Sequence, residues 1–154
     1  QFGLEGWADF NGELWEREHA RARQRRRSDL DLAPVVGYEQ DPLIADQARD
    51  NIQAAGLDGL ISIHCGSFEQ QTLPPGPGLL VCNPPYGHRV GADDDLEQLY
   101  RSLGSFVRER ASGWQLWLLS GNPSLTGALR LKASRRVPVS NGGIDCRWLN
   151  YAIR

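Results

Sequence analysis

Short apolar runs alternate with longer amphipathic stretches along this chain. The runs are "APVVGYE" (33–39), "LISIHC" (60–65), "LLVC" (79–82) and "WQLWLLS" (114–120). Each is short and punctuated by Gly, Pro or acidic residues, the signature of a strand. Between them lie stretches with helical spacing. "PLIADQARDNIQAAGL" has Pro42 in its first turn and Gly56 past its end, with Leu43, Ala48, Ile52 and Ala55 as its apolar side. "DDDLEQLYRSLGSFVRERASG" begins on acids and repeats Leu96, Leu99, Leu103, Phe106 and Val107 along one face. "NPSLTGALRL" starts on the cap-like pair Asn122-Pro123 and predicts a short helix. The closing "KASRRVPVSNGGIDCRWLNYAIR" predicts two strands joined at Asn141-Gly142-Gly143, a hairpin signal. At the front, Phe2 to Trp7 is a short aromatic segment. Residues from about Asn11 to Arg27 predict a helix with Leu14, Trp15 and Ala22 as its buried side.

Strand–helix alternation followed by a hairpin implies an α/β sandwich, parallel early and antiparallel in its last pair. In open α/β sheets, ligands gather beyond the carboxyl ends of the strands. That rule places Glu39, Asp41, Ser67 and the segment Asn83–Tyr86 on one edge.

Composition narrows the partners. The 154 residues suffice for one domain with a sizeable core. A net charge of −2 means that any nucleic-acid contact must come from a local patch. The candidate is the arginine-dense end of the first helix, with Arg23, Arg25 and Arg26. It reads either as a solvated helix end, where cations suit the dipole, or as a phosphate-contacting patch. Cys65, Cys82 and Cys146 are odd in number and widely spaced, which fits free thiols in a cytoplasmic protein better than a disulfide framework or a metal site. No apolar run approaches a membrane span. The chain has no methionine and begins at Gln1, so it reads as a piece of a longer protein.

The run "VCNPPYGHRVG" carries the chemistry. Asn83 supplies a carbonyl oxygen, and Pro84 a backbone carbonyl with no N–H beside it. Pro85 stiffens the turn, and Tyr86 offers a flat ring for stacking. Two acceptors beside a stacking face make a receptor for a planar –NH2. Holding both hydrogens of such an amine pulls its nitrogen towards a pyramidal shape and aims the lone pair at an electrophile. This is positioning and electrostatics, with no strong general base required.

"NPPY" after a strand resembles the catalytic motif of S-adenosylmethionine-dependent amino methyltransferases. With "FGLEGW", "GYEQDP…ARDNIQAAGL", "NPPYGHR" and "NGGIDC" in that order, the chain is similar over essentially its whole length to the N-terminal methyltransferase half of the bacterial bifunctional 23S rRNA methyltransferases, the RlmL/RlmKL family. The resemblance implies a Rossmann-like methyltransferase fold and methyl transfer from S-adenosylmethionine to the N2 of a guanine in 23S rRNA, without a metal. It assigns base-holding roles to Asn83, Pro84, Pro85 and Tyr86, and a ribose-binding role to Glu39. It sets Asp41 beside the cofactor and Arg89 against RNA. His88 is expected to face solvent. Residues 1–154 then form one partial catalytic domain, with an upstream THUMP domain and a second methyltransferase downstream in the parent.

Two departures qualify the resemblance. Ser67 stands where the family carries an Asp that contacts the adenine amine of the cofactor. The glycine-rich loop and its strand are also absent; "PPGPG" (74–78) precedes a strand and reads as a turn. The implied sheet order is 3-2-1-4-5-7-6 with the first, central strand missing. The expected outcomes are a closed-up sheet, a partner chain or a cleaved segment that completes the sheet, and weak or no cofactor binding by the isolated chain. The motif chemistry also fits DNA adenine N6 or a protein glutamine as target. A non-catalytic RNA-binding module on the same scaffold is the remaining reading.

Overall fold

The computed structural model describes residues 2–26, 33–86 and 93–154. The predicted strands form as β1 (Val35–Glu39), β2 (Ile61–Cys65), β3 (Leu79–Cys82), β4 (Gln115–Ser120), β5 (Arg135–Asn141) and β6 (Ile144–Ala152). The helices are α1 (Gly12–Gln24), α2 (Pro42–Ala54), α3 (Asp93–Arg110) and α4 (Pro123–Ala128). The strands make two sheets. β1 and β2 pair in parallel, and the second sheet runs β3-β4-β6-β5. β3 and β4 are parallel, while β6 is antiparallel to both neighbours. The pairings β2-β1 and β3-β4-β6-β5 match the 3-2 and 4-5-7-6 parts of the implied order. The sheet has not closed up: β1 and β3 do not pair.

The core belongs to the four-stranded sheet. Leu116 and Leu118 of β4 and Leu149 of β6 meet Leu96, Tyr100 and Val107 of α3. Each fully buried leucine of this kind contributes roughly 1.5–3 kcal/mol. Gly104 lets α3 and α4 close up, because a Cβ there would run into the backbone of Leu129. Arg108 donates to the Leu129 carbonyl at 2.7 Å, which ties off the end of α4.

The β1–β2 unit is thinner. Ala45 is the buried residue of α2. The expected apolar side of α2 needs correction, because Leu43 is 72% exposed and Ala55 is exposed. The stripe that faces the sheet is Ala45, Ala48 and Ile52. The unit is fastened to the core through the loop after β2: Phe68 meets Phe106 edge-on at 5.5 Å, and Arg110 donates to the Gln71 carbonyl at 3.2 Å.

α1 differs from expectation as well. Asn11 caps it by accepting from the Leu14 amide at 2.9 Å, but none of its residues is buried and Leu14 is 45% exposed. Trp15 packs within its own segment, edge-on to Phe2 and stacked on His19, so its apolar surface is spent locally. No helix among the described residues is long and apolar enough to cross a membrane.

Candidate functional site

Two groups of predicted residues lie at strand carboxyl ends, one on each sheet. On the β1–β2 unit, the Gly66 amide donates to the Glu39 carbonyl at 2.8 Å and so holds the two strand ends together. Glu39 is half-buried, and its Oε1 accepts from the Asp41 amide at 2.9 Å. Its other oxygen takes no hydrogen bond from the described residues. Asp41 is the N-cap of α2: its Oδ1 accepts from the Leu43 amide at 2.8 Å and the Ile44 amide at 3.4 Å, with Pro42 in the first turn. The structure thus gives this carboxylate a helix-capping job. Ser67 caps the short 3-10 turn Phe68–Gln70 and donates to Glu69 Oε2 at 2.7 Å.

On the four-stranded sheet, Asn83 follows β3 directly and is exposed, while Pro84, Pro85 and Tyr86 are half-buried. Pro84 cannot continue a ladder, so the chain leaves the sheet there. Leu80 and Cys82 point into the core, whereas Leu79 and Val81 are 58% and 59% exposed. The Cys82 thiol is pushed up to about 12 by burial. The residue immediately before Asn83 is therefore neutral and neither nucleophile nor base.

Tyr86 is held from far along the chain. Its hydroxyl accepts from Asn141 Nδ2 at 2.7 Å and from the Cys146 thiol at 3.6 Å. Its ring leans on Gly121, where an added Cβ would sit 3.3 Å from the Tyr86 ring and 3.3 Å from the Cys146 sulfur. Gly121, Asn141 and Cys146 are the residues that sequence reasoning did not assign to the site. Two of them lie inside "NGGIDC", whose presence was legible but whose contact with Tyr86 was not. Tyr100, also unforeseen in the core, has a buried hydroxyl beside Ser120 with no well-formed hydrogen bond among the described residues, and burial raises its pKa to about 12.

Arg23, Arg25 and Arg26 are exposed at the end of α1. Among the described residues, no hydrogen bond or ion pair links them to the ends of β1 or β3. His88 and Arg89 lie outside the described residues. The three cysteines are free thiols, as expected. No cluster of His, Cys, Asp and Glu suited to a metal ion occurs among the described residues.

A family model described as "UPF0020: RMKL-like, methyltransferase domain" matches residues 5–150. The ribosomal RNA large subunit methyltransferase K/L of Syntrophotalea carbinolica is 38% identical over 99% of this chain. The protein of the same name from Allochromatium vinosum is 39% identical, also over 99%. The chain spans 22% and 21% of their respective lengths. Among solved structures, SMU.472, described as a methyltransferase and solved in complex with SAH, superposes over 100% of this chain with a TM-score of 0.82 at 21% identity, covering 40% of that protein. A Clostridium difficile 630 protein described as a possible methylase gives 0.80 at 25% identity over 100% of this chain and 40% of its own.

Proposed function

Because the chain belongs to the RMKL-like methyltransferase domain family, we propose that, within its full-length protein, it transfers a methyl group from S-adenosylmethionine to the N2 of a guanine in large-subunit rRNA. The observation that carries this reading is the exposed Asn83 acceptor at the end of β3, followed three residues later by a Tyr86 ring whose hydroxyl is already anchored.

In this proposal the Asn83 side-chain carbonyl and the Pro84 backbone carbonyl accept the two hydrogens of the base amine. The Tyr86 ring carries the base, so the amine nitrogen is presented with its lone pair aimed along one direction. When bound, S-adenosylmethionine supplies an electrophilic methyl group. The free oxygen of Glu39 suits the ribose hydroxyls of that cofactor, a task carboxylates perform in nucleotide folds. Ser67 Oγ is positioned on the same edge as a neutral hydrogen-bonding partner. Asp41 contributes indirectly, because its amide fixes one Glu39 oxygen and its carboxylate fixes α2. The nitrogen's surplus proton leaves from the Asn83–Pro84 acceptor pair to solvent, since the neutral Cys82 thiol cannot take it. Arg89 and the α1 arginines 23, 25 and 26 contribute phosphate contacts, and the remainder of the full-length protein completes both cofactor binding and RNA capture.

The test is methyl transfer by the full-length protein to 23S rRNA lacking its natural modifications, followed by nucleoside analysis of the product. N2-methylguanosine supports the proposal. N6-methyladenosine, or methylation of DNA or of a protein glutamine, replaces the target. No transfer to any of these leaves the non-catalytic RNA-binding reading.

A further inference from the structure

We propose that the groove between α4 and the β5–β6 hairpin binds the sugar–phosphate backbone of single-stranded RNA next to the target base. The inference rests on the RNA methyltransferase reading above and adds a substrate subsite to it. The groove has a volume of about 950 Å³ and opens to solvent. That is the size of a pocket for a ligand of nucleotide scale, well beyond what an ion requires.

Strand register explains how it is built. Arg136 lies opposite Leu149, and Arg147 opposite Pro138. All four therefore project to one face of the sheet, the face that carries Leu116 and Leu118 into the core further along. The apolar layer thins out towards β5, and the two arginines rise at its margin. They are diagonal neighbours, a relation whose usual spacing is about 7–8 Å. That spacing is on the scale of the step between phosphates in an extended strand. Both are exposed, and neither makes an ion pair among the described residues. Asp145 lines the same groove, opposite Ser140. The net charge of this lining stays positive, and the carboxylate can accept from a ribose 2′-hydroxyl, the group that distinguishes RNA from DNA.

Position links the groove to the chemistry. Gly121 and Cys146 line it, and the same two residues meet the Tyr86 ring and hydroxyl on their other side. By the same alternation the Cys146 side chain projects to the face opposite the two arginines, so a strand whose target base reaches Tyr86 enters the groove by passing around the sheet end at Gly121.

The experiment compares the full-length protein with an Arg136→Gln/Arg147→Gln double variant and with the Arg136→Lys/Arg147→Lys pair. Binding of a fluorescent single-stranded RNA of about ten nucleotides is followed across a salt series, and KM and kcat are measured on unmodified 23S rRNA. The Gln pair is expected to raise Kd and KM about tenfold and to flatten the log K against log salt slope by about 1.4, two phosphates' worth for a single strand. kcat at saturation stays within about twofold, and the Lys pair retains most of the affinity. Unchanged Kd, KM and slope in a Gln pair that folds normally overturn the proposal, and so does wild-type protein that fails to bind the RNA. Equal affinity for DNA of the same sequence overturns the ribose contact. If the Gln pair loses RNA binding although wild type transfers no methyl, the groove stands and the methyl-transfer reading falls.

Discussion

Leu118 and Ile63 each sit near the middle of a parallel strand that leads to the candidate site, yet their surroundings differ. Leu118 is fully buried under α3, whereas Ile63 is half-exposed and lies over Gly37. The contrast holds for the whole of each unit. The four-stranded sheet that carries Asn83 and Tyr86 has a continuous core, while the two-stranded sheet that carries Glu39 has Ala45 and a few half-buried neighbours. A two-stranded sheet alone is marginal in water. The half proposed to hold the base is thus mounted on a continuous core, and the half proposed to hold the cofactor ribose depends on further packing along the edges of β1 and β3 that no described strand pairs.

Paired truncations test this asymmetry most directly. Leu118→Ala should cost about 2–5 kcal/mol, and Ile63→Ala about 1 kcal/mol, the smaller transfer energy of a half-exposed side chain. Both are read by denaturant unfolding, and equal costs would break the comparison. Next, Asn83→Ala in the full-length protein should lower kcat a hundredfold or more, as removal of a preorganised polar partner does, while leaving the unfolding midpoint alone because the side chain is exposed. A shifted midpoint would show that Asn83 also supports the core.

Alkaline pH should weaken the four-stranded unit selectively. Cys82 and Tyr100 have ordinary values near 9 and 10, and both are raised to about 12 by burial. The fold favours their neutral forms, so this stabilisation is complete below about pH 9 and lost as pH rises towards 12. Unfolding measured from pH 8 to 11 should show falling stability, and Tyr100→Phe should flatten the decline. An unaltered slope in that variant would place the titration elsewhere. The smallest effect expected is that of Asp41→Ala. Loss of the cap should cost about 1 kcal/mol and appear as faster amide exchange at the start of α2, with α3 unaffected.

Much of this molecule was legible in advance, and what was missed shares a cause. Strands showed as apolar runs, helix starts as Asp41-Pro42 and Asn122-Pro123, and the hairpin as Asn141-Gly142-Gly143, because each is a local signal. The sheet order came from family resemblance, and no local pattern dictates it. Asp41, expected beside the cofactor, is also the N-cap that the following Pro42 marks. The apolar sides expected for α1 and α2 were misjudged because spacing shows which residues share a face, and not whether anything covers it. The Tyr86 anchor bridges residues 86, 121, 141 and 146. No short window of sequence contains such a contact.

That anchor has a consequence for the order of assembly. β6 inserts between β4 and β5, so neither strand can reach its final neighbour until Ile144–Ala152 has been synthesised. During translation Tyr86 emerges some sixty residues before Cys146, which later touches its hydroxyl. Non-local pairing of this kind is slow to form. The nascent protein therefore carries its Asn83–Tyr86 segment past the ribosome, whose RNA is its proposed class of substrate, with Tyr86 unlatched until β6 slots between β4 and β5.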